Sequence, residues 1–126
     1  MTDNVLITLS CGTDNPNRTT RAVFFAMAAH KEGKNVTLFL LDEGVFIAKK
    51  GMADHIKAAT GDSCDDHLSY LQAHGVGILV CTPCAKARQI EAEDLIEGAR
   101  LATGGEMINL QGFVRQCFVI VPQSQI

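Results

Sequence analysis

The sequence lacks an excess of positive charge. Its 126 residues include 11 lysines and arginines against 14 aspartates and glutamates, which gives a formal net charge of −3. This balance excludes the basic surface that binds nucleic acid or anionic membranes. The opening stretch MTDNVLITLS has no basic segment, and its apolar run is too short for a signal peptide or a membrane span. We therefore expect one cytoplasmic domain over residues 1–126, with no nucleic-acid or membrane partner.

A second closely spaced cysteine pair and a closely spaced histidine pair are also lacking, although five cysteines are present. A structural zinc site needs four ligands, and a catalytic one needs three plus water. The pair Cys81 and Cys84 supplies two, with Cys11 as a third at most, so we predict no metal and no cofactor. Cysteines in the reducing cytosol are expected to be reactive or buried rather than joined in a disulfide framework.

Short apolar runs alternate with helical patterns along the chain. The apolar runs predict strands at Val5–Ser10, Val36–Leu41, Val76–Val80, Ala99–Ala102 and Phe118–Val121. The helical patterns predict helices at Arg18–Lys31, Ala53–Ala59, Asp65–His74, Cys84–Gln89, Ala92–Ile96 and Gly105–Phe113. Strands separated by helices indicate an α/β domain with a mainly parallel sheet. Ligands of such sheets bind beyond the carboxyl ends of the strands.

This rule separates the cysteines by their position relative to the strands. Cys11 follows the first predicted strand and Cys81 the third, so both lie at the edge where ligands bind. Cys117 precedes the fifth strand at the opposite edge, and we expect it to be a small buried residue. Cys64 stands beside two aspartates, which favour its protonated thiol, and we assign it no chemistry.

Cys81 occupies a position that favours a reactive thiolate. It ends an apolar strand and precedes a helix whose first turn contains Pro83. Free backbone N–H groups at the start of that helix favour negative charge on Cys81, and Lys86 and Arg88 add positive charge nearby. Cys84 lies one turn into the helix, where we expect it to play a supporting role.

Cys81 has three other interpretations besides a reactive thiolate. Buried cysteines often only fill space at a strand end. The sequence C-T-P-C is typical of thioredoxin-type redox centres, but here it follows the third strand, and neither Pro16 nor Pro122 is well placed to face it. A protease-like cysteine–histidine pair is unsupported, because all four histidines are predicted to be exposed helix residues: His30, His55, His67 and His74.

The chain resembles the DsrE/DsrF-like family of small sulfur-relay proteins over nearly its whole length. The matching segments are VLITLSCGTDNP, LFLLDEGVFIAKKG, HGVGILVCTPCAKARQI, EDLIEGARLATGGEMINL and FVIV. The resemblance implies a three-layer α/β/α sandwich with a five-stranded, mainly parallel sheet in the order 4-3-2-1-5. It also implies that Cys81 accepts sulfur as a persulfide and passes it to a partner protein. Family members form trimers or hexamers, so a homotrimer or homohexamer is expected.

On this interpretation the protein is a sulfurtransferase-like sulfur carrier that exchanges sulfur with donor and acceptor proteins. Cys81 and Cys84 are the expected catalytic residues, and the expected pocket residues are Cys11, Glu43, Gly44, Thr82 and Lys86. With the second strand between the first and third, Cys11 and Cys81 lie on the order of 10 Å apart, so Cys84 is the better disulfide partner. Two alternatives stay open: a dithiol redox protein that uses Cys81 and Cys84, and an oligomeric module that binds a small ligand.

Overall fold

A five-stranded parallel sheet forms the centre of the computed structural model, which describes residues 4–111 and 116–120. Its strands are β1 (Asn4–Leu9), β2 (Asn35–Leu40), β3 (Gly77–Cys81), β4 (Ala99–Ala102) and β5 (Gln116–Ile120). They lie in the order β4-β3-β2-β1-β5, and each neighbouring pair is parallel. The predicted sheet and strand order are thereby confirmed. The predicted end of the last strand, at Val121 and Pro122, lies outside the described residues.

Four α-helices accompany the strands in the described part of the chain. They are α1 (Pro16–Lys31), α2 (Cys64–Ala73), α3 (Thr82–Ala87) and α4 (Gly104–Gln111). The Asn15 side chain accepts a hydrogen bond of 3.2 Å from the Arg18 amide, and Pro16 stands in the first turn. Both features favour a helix start, so α1 begins two residues earlier than the apolar pattern predicts. The predicted end of the last helix, at Phe113, lies outside the described residues.

The segment after β2 differs from the prediction. A 3₁₀ helix covers Asp42–Ala48, and no helix forms over the predicted range Ala53–Ala59. In that range the Ala58 amide donates to the carbonyl of residue 62, and the Cys64 amide donates to the Ile56 carbonyl. These two hydrogen bonds join the segment to residues 62–64 and so form a turn instead of a helix. Ile56 and Ala58 are buried within this turn. The predicted helix Ala92–Ile96 is likewise reduced to a 3₁₀ turn at Ala92–Asp94.

The sheet is covered on both faces. Alternate side chains of the strands point to opposite sides, so one face packs against α1 and α2 and the other against α4. The first face contributes Val5, Ile7, Leu9, Val36, Leu38, Leu40, Ile78 and Val80, and the second contributes Leu6, Phe39 and Leu79. The predicted three-layer α/β/α sandwich is confirmed. Within the described residues, no helix is both long and apolar enough to cross a membrane.

A polar cluster ties the loop before α2 to α1. Asp62 Oδ2 lies 2.7 Å from His67 Nε2 and 3.3 Å from Arg21 Nη1, and the Thr60 hydroxyl donates to the same carboxylate. His67 is only 9% exposed. The prediction that all four histidines are exposed helix residues is therefore wrong for His67. His30 is in a helix but half-buried, and His55 and His74 are exposed but lie in turns.

These contacts predict a dependence of stability on pH. Hydrogen bonds from Thr60, His67 and Arg21 hold the pKa of Asp62 well below its usual range. The stabilisation is therefore present above about pH 4, the unfolded-state pKa, and is lost as the pH falls towards the lower folded-state pKa. In urea titrations, we expect the free energy of unfolding of the wild type to fall more steeply between about pH 5 and 3 than that of Asp62→Asn. Equal slopes for the two proteins would contradict this expectation.

Candidate functional site

Three loops meet at the carboxyl end of the sheet, where β1, β2 and β3 end side by side. The Leu41 amide donates a hydrogen bond of 3.0 Å to the Leu9 carbonyl, so the β1–β2 ladder continues into the loop after β2. The 3₁₀ helix follows at once and contacts both β3 and α3. This arrangement places the residues after β2 between the two loops that carry Cys11 and Cys81.

Two glycines allow the first two loops to pack backbone against backbone. A Cβ atom at Gly44 would overlap the carbonyl oxygen of Leu9, and one at Gly12 would overlap the carbonyl oxygen of Glu43. Both glycines are buried. The predicted pocket residue Gly44 therefore allows the close approach of the 3₁₀ helix to β1, and it offers no side chain to a ligand.

Cys81 is both the last residue of β3 and the residue that precedes α3. The residue is half-buried and packs against the core. The Thr82 hydroxyl donates a hydrogen bond of 2.8 Å to the carbonyl of Ala102, at the end of β4. The start of α3 is thereby fixed to the neighbouring strand, which sets the position of Cys81.

Cys84 lies one helical turn beyond Cys81, with its thiol directed back towards the strand ends. Its thiol donates a hydrogen bond of 3.8 Å to Asp42 Oδ1. Burial raises the pKa of Cys84, and the neighbouring Cys81 side chain and the negative charge of Asp42 add to the rise. This environment therefore favours the protonated thiol at Cys84.

Asp42 has an unusual backbone conformation. Its φ is +49°, in the left-handed region that side chains other than asparagine and aspartate rarely adopt. This conformation turns the chain from β2 into the 3₁₀ helix and brings the Asp42 carboxylate beside Cys84.

Glu43 and Arg88 form a two-pronged ion pair between the 3₁₀ helix and the end of α3. Arg88 Nε and Nη2 each lie 2.9 Å from a carboxylate oxygen of Glu43, and Arg88 Nη1 donates to the Cys84 carbonyl at 3.0 Å. Hydrogen bonding to Arg88 lowers the pKa of Glu43. Glu43 therefore positions the site through Arg88. The positive charge that Arg88 is predicted to add near Cys81 is paired in the structure with Glu43.

Replacing Glu43 tests this ion pair. We expect Glu43→Gln to lower the free energy of unfolding by up to about 1 kcal/mol, because the pair is only partly buried and solvent screens it. Urea denaturation at neutral pH measures the change. Glu97→Gln, an exposed carboxylate substitution, is the control and should stay within about 0.5 kcal/mol of the wild type. Equal stabilities of the two variants would show that the pair does not hold the 3₁₀ helix.

The remaining predicted residues lie in different environments. Cys11 has no exposed surface, and the Thr19 hydroxyl is 3.5 Å from its sulfur. The prediction that Cys11 lines the pocket is therefore wrong, because its side chain belongs to the core, where burial raises the pKa of its thiol. Lys86 is exposed on α3. Burial, and secondarily Asp65, raises the pKa of Cys64 to about 12, which accords with assigning it no chemistry.

Comparison with known proteins places the chain in a family. The DsrE/DsrF-like family matches residues 3–116, and the chain belongs to it. The uncharacterized protein MK0008 of Methanopyrus kandleri is 34% identical over 110 residues, which cover 85% of each chain. The uncharacterized protein MJ0989 of Methanocaldococcus jannaschii is 40% identical over 98 residues, or 75% of this chain and 77% of that protein.

Solved structures share the fold. The ychN protein of E. coli superposes with a TM-score of 0.79 at 20% identity, covering 95% of this chain and all of that one. The protein of unknown function MTH1491 of Methanobacterium thermoautotrophicum has a TM-score of 0.68 at 15% identity, covering 93% and 98% of the two chains. At these identities the likeness establishes the three-layer architecture that positions Cys81.

Proposed function

We propose that this protein is a sulfur carrier that holds sulfur as a persulfide on Cys81 and passes it to a partner protein. The observation that carries the proposal is the half-buried Cys81 at the carboxyl end of β3, directly before the start of α3 and one turn from the Cys84 thiol. Membership of the DsrE/DsrF-like family supports the same class of chemistry.

The transfer consists of two sulfur exchanges. The Cys81 thiolate attacks the outer sulfur of a donor persulfide, and the donor leaves as a thiolate. An acceptor thiolate then takes the outer sulfur, and Cys81 leaves as a thiolate. No side chain caps α3, so the unpaired N–H groups of its first turn stabilise negative charge on the sulfur that Cys81 carries. Glu43 and Arg88 hold the loops around this position.

Donor and acceptor proteins and self-association are part of the proposal. Sulfur transfer between proteins requires that Cys81 be reached by a second thiol, and its partly exposed position permits this.

Assembly into a homotrimer or homohexamer is implied by the family. Light scattering at micromolar protein concentration measures the mass, and a monomer would count against this assembly.

Measurement of bound sulfur tests the carrier function. After treatment with inorganic polysulfide and desalting, we expect Cys84→Ser to hold about one cyanide-labile sulfur per chain. Protein alkylated with iodoacetamide before the treatment is the control, because blocked thiols cannot accept sulfur. Cys84→Ser that holds no more sulfur than the alkylated control would rule out the carrier function.

A dithiol redox protein is the second candidate. The position of Cys81 and Cys84 three residues apart at the start of α3 favours it, because Cα atoms at this spacing lie about 5 Å apart, within the range of a disulfide. This candidate predicts a reversible two-electron Cys81–Cys84 couple and no sulfur uptake by Cys84→Ser. The cyanide assay therefore separates the two candidates.

A further inference from the structure

Cys84 is placed to react with sulfur that is bound to Cys81. The rise and radius of an α-helix put Cα atoms three residues apart at about 5 Å, and a disulfide requires Cα atoms within roughly 4.4–6.8 Å. Cys81 directly precedes α3 and Cys84 is the third residue of that helix, with its thiol hydrogen-bonded to Asp42 at 3.8 Å. The two sulfurs can therefore bond by side-chain rotation, without movement of the sheet.

The environment of Cys84 keeps it from competing for the donor. Burial, the neighbouring Cys81 side chain and the charge of Asp42 all favour the protonated thiol. On the proposed function Cys81 takes up the sulfur, and Cys84 reacts later, in the rare moments when it has lost its proton, because the thiolate is the form that attacks sulfur. Loading and the second reaction are thus separated in time.

We propose that Cys84 is a resolving thiol, which releases the sulfur carried by Cys81 as hydrogen sulfide. The Cys84 sulfur attacks the inner sulfur of the persulfide, forming the Cys81–Cys84 bond and breaking the bond between Cys81 and the outer sulfur. The outer sulfur leaves with that electron pair and takes up a proton from solvent, which balances the proton that Cys84 gave to solvent when it became a thiolate. It is reduced to hydrosulfide, HS⁻, while the two cysteines are oxidised to a disulfide.

The cycle closes when a reducing dithiol cleaves the Cys81–Cys84 disulfide and is itself oxidised. The inference rests on the proposed persulfide carrier. It adds a second outcome for the bound sulfur, which reaches either an acceptor protein or solution as sulfide. The choice depends on whether an acceptor arrives before Cys84 attacks.

Sulfide release and protein mass test the inference. Wild type, Cys84→Ser and Cys84→Ala are loaded with inorganic polysulfide, desalted and followed by a sulfide electrode and intact mass spectrometry. Both Cys84 variants should keep a roughly 32 Da adduct at least about tenfold longer than the wild type, because an intramolecular thiol outpaces water and other chains. The wild type should release sulfide and end about 2 Da lighter than its reduced form. Its release rate should rise with pH, because only the Cys84 thiolate attacks.

The possible results distinguish a failure of the resolving role from a failure of the carrier function. Equal adduct lifetimes in wild type and both Cys84 variants, with no disulfide in the wild type, would overturn the resolving role and leave the carrier intact. The absence of an adduct in both Cys84 variants would overturn the carrier and the resolving role together. Cys64→Ala, which removes a thiol that is fully buried away from the site, should release sulfide as the wild type does.

Discussion

Gly44→Ala is expected to lower the free energy of unfolding by about 3 kcal/mol or more. The added Cβ atom would overlap the carbonyl oxygen of Leu9, which is backbone at the end of an internal strand and cannot swing aside as a flexible side chain would. The 3₁₀ helix would have to move away from β1, taking Asp42 and Glu43 with it. Urea denaturation followed by circular dichroism measures the loss, and sulfur loading should fall in parallel.

Gly104→Ala is the matched control for this substitution. No atom lies within 4 Å of a Cβ placed at Gly104, which is exposed in the first turn of α4. Alanine is favoured over glycine in a helix, so this variant should be unchanged or up to about 1 kcal/mol more stable. A Gly44→Ala protein as stable as Gly104→Ala would show that the loops are not packed as described.

Cys81→Ser is expected to lose nearly all capacity to bind sulfur. Serine keeps the size of the side chain, but its hydroxyl is not a thiolate and does not form a persulfide. After polysulfide treatment and desalting, Cys81→Ser should hold less than about a tenth of the cyanide-labile sulfur held by Cys84→Ser. The loss reflects chemistry rather than unfolding if the two variants unfold at the same urea concentration.

A buried thiol provides the comparison for Cys81→Ser. Cys64 has no exposed surface, and burial raises the pKa of its thiol to about 12, so it should not load. The double variant Cys64→Ala/Cys84→Ser should therefore bind as much sulfur as Cys84→Ser alone. Substantial loading of Cys81→Ser would mean that another cysteine accepts sulfur.

The fold was predictable because its strands are short apolar runs separated by helical patterns. The alternation of predicted strands and helices indicated an α/β fold, and the family resemblance supplied the strand order that the sheet has. The region 53–59 was predicted wrongly because its buried residues, Ile56 and Ala58, are covered by a turn that bonds to residues 62–64. Such hydrogen bonds across a loop leave no periodic pattern in the sequence.

The site was predictable only in part, for a physical reason. Cys81 could be located because the end of a buried strand is visible in the sequence. Cys11 follows a strand in the same way, yet it is buried. The direction of its side chain depends on tertiary contacts, since the Thr19 hydroxyl lies against its sulfur and donates a hydrogen bond to the Gly12 carbonyl. The Glu43–Arg88 pair joins residues 45 positions apart, and such a pairing appears only when the chain is folded.

The most direct test of the account is to locate the bound sulfur. Cys84→Ser is loaded with inorganic polysulfide, alkylated with iodoacetamide, digested with trypsin and analysed by tandem mass spectrometry. We expect Cys81 to carry an additional mass of about 32 Da, shown by fragment ions that contain Cys81 and lack Cys64. The peptide that contains Cys11 should carry no additional sulfur. Additional sulfur on Cys11 or Cys64, with none on Cys81, would contradict the central claim.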